Sequence, residues 1–425
     1  MENKDYKFLD EDRIQITTNV CINTEQYLYF ASDYYNALFR IEKKRLFEEK
    51  EDNQGLEFVG VFPNEIHGKR LWSDGRLIGK YLVFVPLQAE NIALYDLVEE
   101  RFISIPLQEV GAENAGYTKD AKFSMCLIVN NKMIFLPYTY PHIIVLDIEK
   151  KEICYSKKAV SYLNSIKGKS GAYFVDTIDG VNIRTVNIWS QLAGGMVCFN
   201  VKKLEIEKFY KIDGKYESVV YDNAICLDDE VWLIPRNSEE AVLRWNYKKN
   251  RYVELNIGEI VGKYDYSLHK PIKTKRKIYI FPKLAEHAFS IDVNDNNISV
   301  LAKLDEFFID STTWKTRFAG WVDNMLCVCV SCCMFFLKKD SLENDVDFFV
   351  QLYFCDVNHN NQKELTKFYV QHSELWSGRN ICSESGNIKL ENWLDILQEG
   401  YKSSFYDINK YDLVGGKILK EILGE

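Results

Sequence analysis

A turn-like heptapeptide recurs along the chain and limits what it can fold into. "VLDIEKK" (145–151) has counterparts in "LFRIEKK" (38–44), "LYDLVEE" (94–100), "CFNVKKL" (198–204), "RWNYKKN" (244–250), "SIDVNDN" (290–296) and "FCDVNHN" (354–360). Their third residues, Arg40, Asp96, Asp147, Asn200, Asn246, Asp292 and Asp356, stand 56, 51, 53, 46, 46 and 64 residues apart. A period in that range signals a unit that stacks on copies of itself. Before each turn lies a short β-branched or aromatic run, often closed by proline, such as "YLVFVP" (81–86), "KMIFLP" (132–137) or "IYIFP" (278–282). A further strand-like stretch precedes that run, and another follows the turn, as in "RFISIPL" (101–107) and "RYVELNI" (251–257). Alternating apolar and polar residues between Asn, Asp, Gly and Lys turns mark strands, so the unit is a four-stranded antiparallel meander.

A meander with two apolar faces is not stable alone. Closing seven of them into a ring covers both faces of every unit and leaves only short edges. The expected fold is therefore all-β: a seven-bladed β-propeller of four-stranded antiparallel blades over residues 12–372. The recurrent Asp or Asn opens the turn between the third and fourth strands, its side chain accepting from backbone N–H groups. Proline suits the end of the second strand, where no further ladder donor is needed.

The order of strand, turn, strand, Asp turn and strand resembles kelch-type β-propeller repeats. This chain differs in placing proline or serine where kelch blades carry a Gly-Gly doublet. Its fourth strands have Phe102, Ile153, Tyr252 and Ile298 in place of the usual Trp. The resemblance implies a binding or scaffold propeller, and kelch-like propellers also include a sialic-acid mutarotase.

Two stretches depart from the repeat. Residues between Ser331 and Asp356 read as an extra-long hairpin in blade 7. Beyond residue 372 the repeat stops, and residues 373–425 are expected to be a helical extension packed on the propeller. "KLENWLDILQEG" (389–400) sets Leu390, Trp393, Leu394 and Leu397 on one helical face, and "GGKILKEILGE" (415–425) forms a second short amphipathic helix. The tail implies a monomer or a weak homodimer formed through it.

The charge balance, 53 basic against 62 acidic residues for a net −9, opposes duplex nucleic-acid binding. A local exception, "HKPIKTKRK" (269–277), reads as a solvated hairpin turn, with a phosphate or anionic-polymer contact as the alternative. No apolar run reaches the roughly 20 residues of a membrane helix. Eleven cysteines without a leader-like start suggest free thiols in the cytoplasm. "CVCVSCC" (327–333) lacks the paired knuckles of structural zinc and reads as strand packing. "DVNDNN" (292–297) and "DVNHNN" (356–361) lack the Gly and Glu of a calcium loop and read as Asx-type turns. "KGKSG" (167–171) lacks the leading Gly of a P-loop, and no G-x-S-x-G elbow or G-x-G-x-x-G turn occurs. No metal and no cofactor is expected.

What remains is the loop face shared by the second-to-third-strand loops and the links between blades. Its candidate ligand-binding residues are Tyr35, His67, Tyr138, His142, Arg236, Glu286 and His287. Aromatic and Arg side chains are common interface anchors, and the same residue types stack on sugars and bond to them. The expected function is a non-catalytic binding or scaffold propeller presenting this face to a protein or glycan partner. The alternative is a cofactor-independent sugar-processing enzyme, mutarotase- or epimerase-like, with its site at the channel mouth. His142 and His287 lie in blades nearly across the ring and are not expected to share one site.

Overall fold

A computed structural model describes residues 14–15, 18–33, 36–44, 56–65, 70–111, 117–129, 131–166, 172–179, 184–227, 229–237, 239–262, 268–302, 304, 315–330, 333–338, 350–354 and 356–357. It contains seven four-stranded antiparallel sheets, each built from four consecutive strands in the order 1-2-3-4. They form a seven-bladed propeller whose blade strands run from Val20 to Phe354. No blade borrows a strand from another. Outside the blades, Ile14–Gln15 pairs antiparallel with Asp356–Val357, so the segment before blade 1 meets the segment after blade 7.

The blades hold together through the apolar faces that the repeat pattern supplies. Between blades 1 and 2, Phe62, Trp72 and Phe84 pack with ring centroids 4.7–5.6 Å apart. Between blades 4 and 5, Trp189, Tyr221 and Trp245 meet edge to face. Inner strands of neighbouring blades approach closely. A Cβ on Gly75 of blade 2 would stand 2.6 Å from Val20 Cγ1 and 2.7 Å from Ile22 Cδ1 of blade 1. Only glycine lets these two strands come so near.

The recurrent Asp or Asn does what the sequence suggests. Asp96 Oδ1 accepts from the N–H of Val98 and Glu99, Asn200 Oδ1 from Lys202 and Lys203, and Asp292 Oδ1 from Asn294. Four residues after each of these turn residues, the chain enters the left-handed region: Glu100, Lys151, Leu204, Asn250 and Asn296 have φ of 46 to 63°. The N–H groups of Lys151, Leu204 and Asn296 donate back to the carbonyls of Asp147, Asn200 and Asp292 at 2.8–2.9 Å. One five-residue turn is thus reused in blades 2 to 6. In blade 1 the register puts Glu42, not Arg40, at the first turn position, since Glu42 pairs with Tyr27 as Asp96 does with Tyr81. Arg40 lies two residues earlier in the strand and reaches Glu57 at 2.7 Å and Glu100 of blade 2 at 3.2 Å.

Blade 7 corrects the repeat alignment. Its third strand is Cys333–Lys338 and its fourth is Val350–Phe354, so the stretch expected as an added hairpin supplies the two outer strands of the blade. Asp356 therefore lies beyond the fourth strand, not at the turn before it. The physical reason is that "CMFFLK" is as apolar as a second strand, while "FCDVNHN", with one Asp and two Asn, imitates the turn by composition alone. A helix at Lys158–Ser165 between blades 3 and 4 was also unforeseen; it buries Ala159, Val160 and Leu163. Residues 167–171 and the expected tail helices at 389–400 and 415–425 lie outside the described residues. So does most of "DVNHNN".

The cysteine strand behaves as packing. Cys327 and Cys329 are fully buried in Met325–Val330, and among the described residues no cluster of His, Cys, Asp or Glu is arranged to hold a metal ion. Among the described residues no helix is long and apolar enough to cross a membrane.

Candidate binding site at the channel mouth

Where the second strand ends in blades 1 to 6, one residue follows its closing proline, serine or alanine–serine pair: Asp33, Leu87, Tyr138, Gln191, Arg236 and Lys283. Opposite that end, the inner strand carries an extra residue. The ladder shifts between Trp72 and Asp74, Phe123 and Met125, Tyr221 and Asn223, and Thr316 and Phe318. The extra residues are Ser73, Ser124, Asp222 and Arg317. His269 follows Leu268, whose bridge to Pro282 matches the pairing of Tyr221 with Pro235. A β-bulge turns a side chain away from the sheet it would otherwise continue, and repeating it around a ring directs several side chains to one place.

These two sets of residues meet. Arg236 Nε donates to both oxygens of Asp222, at 2.9 and 3.1 Å, and its Nη2 stands 2.8 Å from Oδ1. Gln191 Nε2 donates to the same carboxylate at 2.9 Å, while its Oε1 accepts from the Ala172 N–H. The Arg317 guanidinium of blade 7 lies 3.4 Å from Asp33 of blade 1, and the backbone N–H of Arg70 donates to the Asp33 carbonyl. His269 Nε2 faces the Arg317 carbonyl at 3.2 Å. Lys283 feels the charges of Asp222, Arg70, Arg236 and Arg317 together, which places blades 2, 5, 6 and 7 around it.

The electrostatics follow from that crowding. Burial lowers the Lys283 ammonium below the usual lysine range; Asp222 opposes the shift, and the three arginines add to it. Burial and the Lys283 charge lower His269 to about 4, so its imidazole is neutral at pH 7. Lys270, the next residue, sits against Asp74 and Arg76 of blade 2, and burial brings it down to about 8. Below them Arg76 reaches Asp74 at 3.0 Å, and Asp74 in turn receives the Cys126 N–H. His269, Lys270 and Lys283 are half-buried, each keeping part of its side chain open to solvent.

The structure disperses the residues selected from sequence. Arg236 is at the mouth. Tyr138 packs on the apolar layer between blades 4 and 5, and its backbone links to Lys122 and Tyr173. His142 sits in an aromatic nest with ring centroids of Tyr140 and Tyr155 at 5.8 and 5.6 Å; burial and Lys157 lower its pKa, and its Nδ1 is buried without a hydrogen-bond partner. Glu286 is exposed beside half-buried His287 at 3.8 Å. Tyr35 and His67 lie outside the described residues. Arg70 was legible as a residue of a loop between blades, whereas Asp33, Asp222, His269, Lys270, Lys283 and Arg317 were not selected, although Asp33, Asp222, His269, Lys283 and Arg317 occupy positions set by the repeat. "HKPIKTKRK" is split: His269 and Lys270 line the channel, while Lys275 and Arg276 are exposed at a turn.

No family model matches the chain, and no curated protein does. Solved structures give a different answer. A streptogramin B lyase is similar at 11% identity and a TM-score of 0.52, over 76% of this chain and 95% of that one. The likeness is one of fold. An extracellular domain from a one-component system of B. thetaiotaomicron matches at 7% identity and a TM-score of 0.50, over 81% of this chain. PorZ, a surface component of the type-IX secretion system of Porphyromonas gingivalis, matches at 12% and 0.47, over 77% of this chain. The chain spans 39% and 38% of the length of those two proteins.

Proposed function

We propose that the protein is a binding propeller, kelch-like in blade plan, that takes a glycan or protein ligand on its loop face at the channel mouth. One observation carries this: the same inner-strand bulge recurs in four blades and brings Asp222 and Arg317 against Arg236 and Asp33. A ring stabilised only by apolar layers has no use for such a constellation, whereas strand irregularities of this kind accumulate where side chains must be re-aimed. The likeness to an extracellular domain and to a lyase fits a fold that hosts many functions, and the site, not the fold, supports this one.

The alternative, a cofactor-independent sugar-processing enzyme, is favoured by Lys270. An amine held at about 8 beside Asp74 can exchange a proton near neutral pH.

The test is a comparison of binding across glycan and peptide panels for the wild type, Arg236→Ala and Glu286→Ala. Loss of at least tenfold in Arg236→Ala, with Glu286→Ala unchanged, is the expected result. The reverse pattern moves the ligand to the outer rim and overturns the assignment. Incubating any sugar that binds and following its anomers by NMR decides between binding and turnover.

A further inference from the structure

We infer that the channel mouth is an oxyanion subsite and that its ligand is a small carboxylate-bearing molecule. This rests on the mouth being the ligand site, as proposed above.

The sign of the charge comes first. The whole chain carries −9. Among the described residues the mouth and the channel below it hold Arg70, Arg76, Arg236, Lys270, Lys283 and Arg317 against Asp33, Asp74 and Asp222. Six cationic groups face three carboxylates, an excess opposite in sign to the protein as a whole. Walls of low dielectric focus such a field and raise the local concentration of anions. Concentrating like charges also costs free energy, which an arriving anion offsets.

Depth sets the size of the ligand. Arg317 is 11% exposed and Asp33 3%. Those two are closed off by the chain; Arg236, at 30%, and half-buried Lys270 and Lys283 are the charges a ligand can reach, and a ligand reaching such recessed groups has to be small.

The donor geometry selects carboxylate. Arg236 already grips a carboxylate through Nε and Nη2, and Arg317 lies against a second one. The guanidinium fork matches a planar two-oxygen group, whereas a lysine alone serves any anion as a point charge. An incoming carboxylate can share or take over the Asp222 partner of Arg236, with Lys283 supplying the second charge.

The experiment is a thermal-shift and calorimetric titration of the full chain with D-galacturonate, D-galactose, citrate and inorganic phosphate, each to roughly 10 mM, above the millimolar range of weak sites. Galacturonate and galactose differ only at the carboxylate. The expected result is a dose-dependent rise in melting temperature with galacturonate or citrate and none with galactose. Affinity should fall at least tenfold in Arg236→Gln and in Lys283→Met, and be unchanged in Arg244→Gln, whose partner Glu230 starts the second strand of blade 5, at the opposite end from Pro235 and Arg236. Melting temperatures of the unliganded variants show whether each still folds, and salt should weaken binding in the wild type.

Silence from both carboxylates overturns the inference, and binding of phosphate alone overturns the choice of carboxylate. A neutral glycan or a protein that binds and is sensitive to Arg236→Gln leaves the mouth as ligand site and removes only its anion character. Binding that ignores every mouth variant removes the site itself.

Discussion

At the scale of single residues, the mouth is an electrostatic compromise with a pH signature. His269 is neutral in the native state down to about 4, because burial and the Lys283 charge disfavour the imidazolium. In the unfolded chain it takes up its proton near 6.5. Between those values the unfolded state binds more protons, so the stability is fully present above about 6.5 and is lost as pH falls toward 4. Replacing His269 with Asn is expected to flatten denaturation curves in that window and leave the dependence above pH 7 unchanged. Asp96 acts in the same sense at lower pH: burial would raise it, but Lys80 and the N–H groups of Glu99 and Val98 hold it at about 2. Its contribution persists to lower pH, being lost only below the ordinary carboxylate range. Arg236 was legible in the sequence as a candidate because it follows the proline of a second strand. His269 and Lys270 were not, because a basic run in an acidic chain looks like a solvated turn until the inner strand is placed.

At the scale of the element, the five-residue turn is the most testable unit. Asn200 satisfies two N–H groups through one oxygen, so Asn200→Ala should cost about 1 kcal/mol in chemical denaturation. The left-handed position of each turn disfavours a side chain with a β-carbon by roughly 1–2 kcal/mol, a cost that Asn reduces. Lys151 stands there at φ 58°, where Asn250 and Asn296 hold the matching sites in other blades. Lys151→Asn is expected to raise stability by about 0.5–1 kcal/mol. Gly75 tests the approach of two inner strands. Gly75→Val should destabilise by at least 1–3 kcal/mol, since its Cβ would overlap Val20 and Ile22. The turn was legible from the spacing of Asp and Asn. The bulges were not, because a two-against-one mismatch exists only once a register is fixed.

At the scale of the molecule, the ring must close where its two ends meet. Blade 7 touches blade 1 through polar links: Asn23 and Lys43 both reach Asp323 at 2.9 Å, and Arg317 reaches Asp33. The thiols of Cys21 in blade 1 and Cys327 in blade 7 adjoin at this seam, and burial, then Cys327, raises the Cys21 pKa. Thiolates react and thiols do not, so an aromatic disulfide reagent should consume exposed Cys154 at once. Cys126, Cys327 and Cys329, all buried, should react only as fast as the protein opens. Labelling of Cys327 ahead of Cys126, followed by mass spectrometry, would show that the seam breathes before the blades unfold.

The number of blades and their strand order follow from the sequence alone, because a repeat of β-strand periodicity with a turn residue every 46 to 64 positions has one economical way to bury both faces. The exception, the misplaced turn of blade 7, shows its limit: composition imitates a turn at Asp356, but only pairing of Cys333–Lys338 with Val350–Phe354 identifies the strands. The site belongs to the tertiary structure. Asp33, Asp222, Arg236, Lys283 and Arg317 come from four blades and lie up to 284 residues apart. Ring closure, the bulges and the depth of the channel bring them together, and no local pattern in the chain encodes their distance.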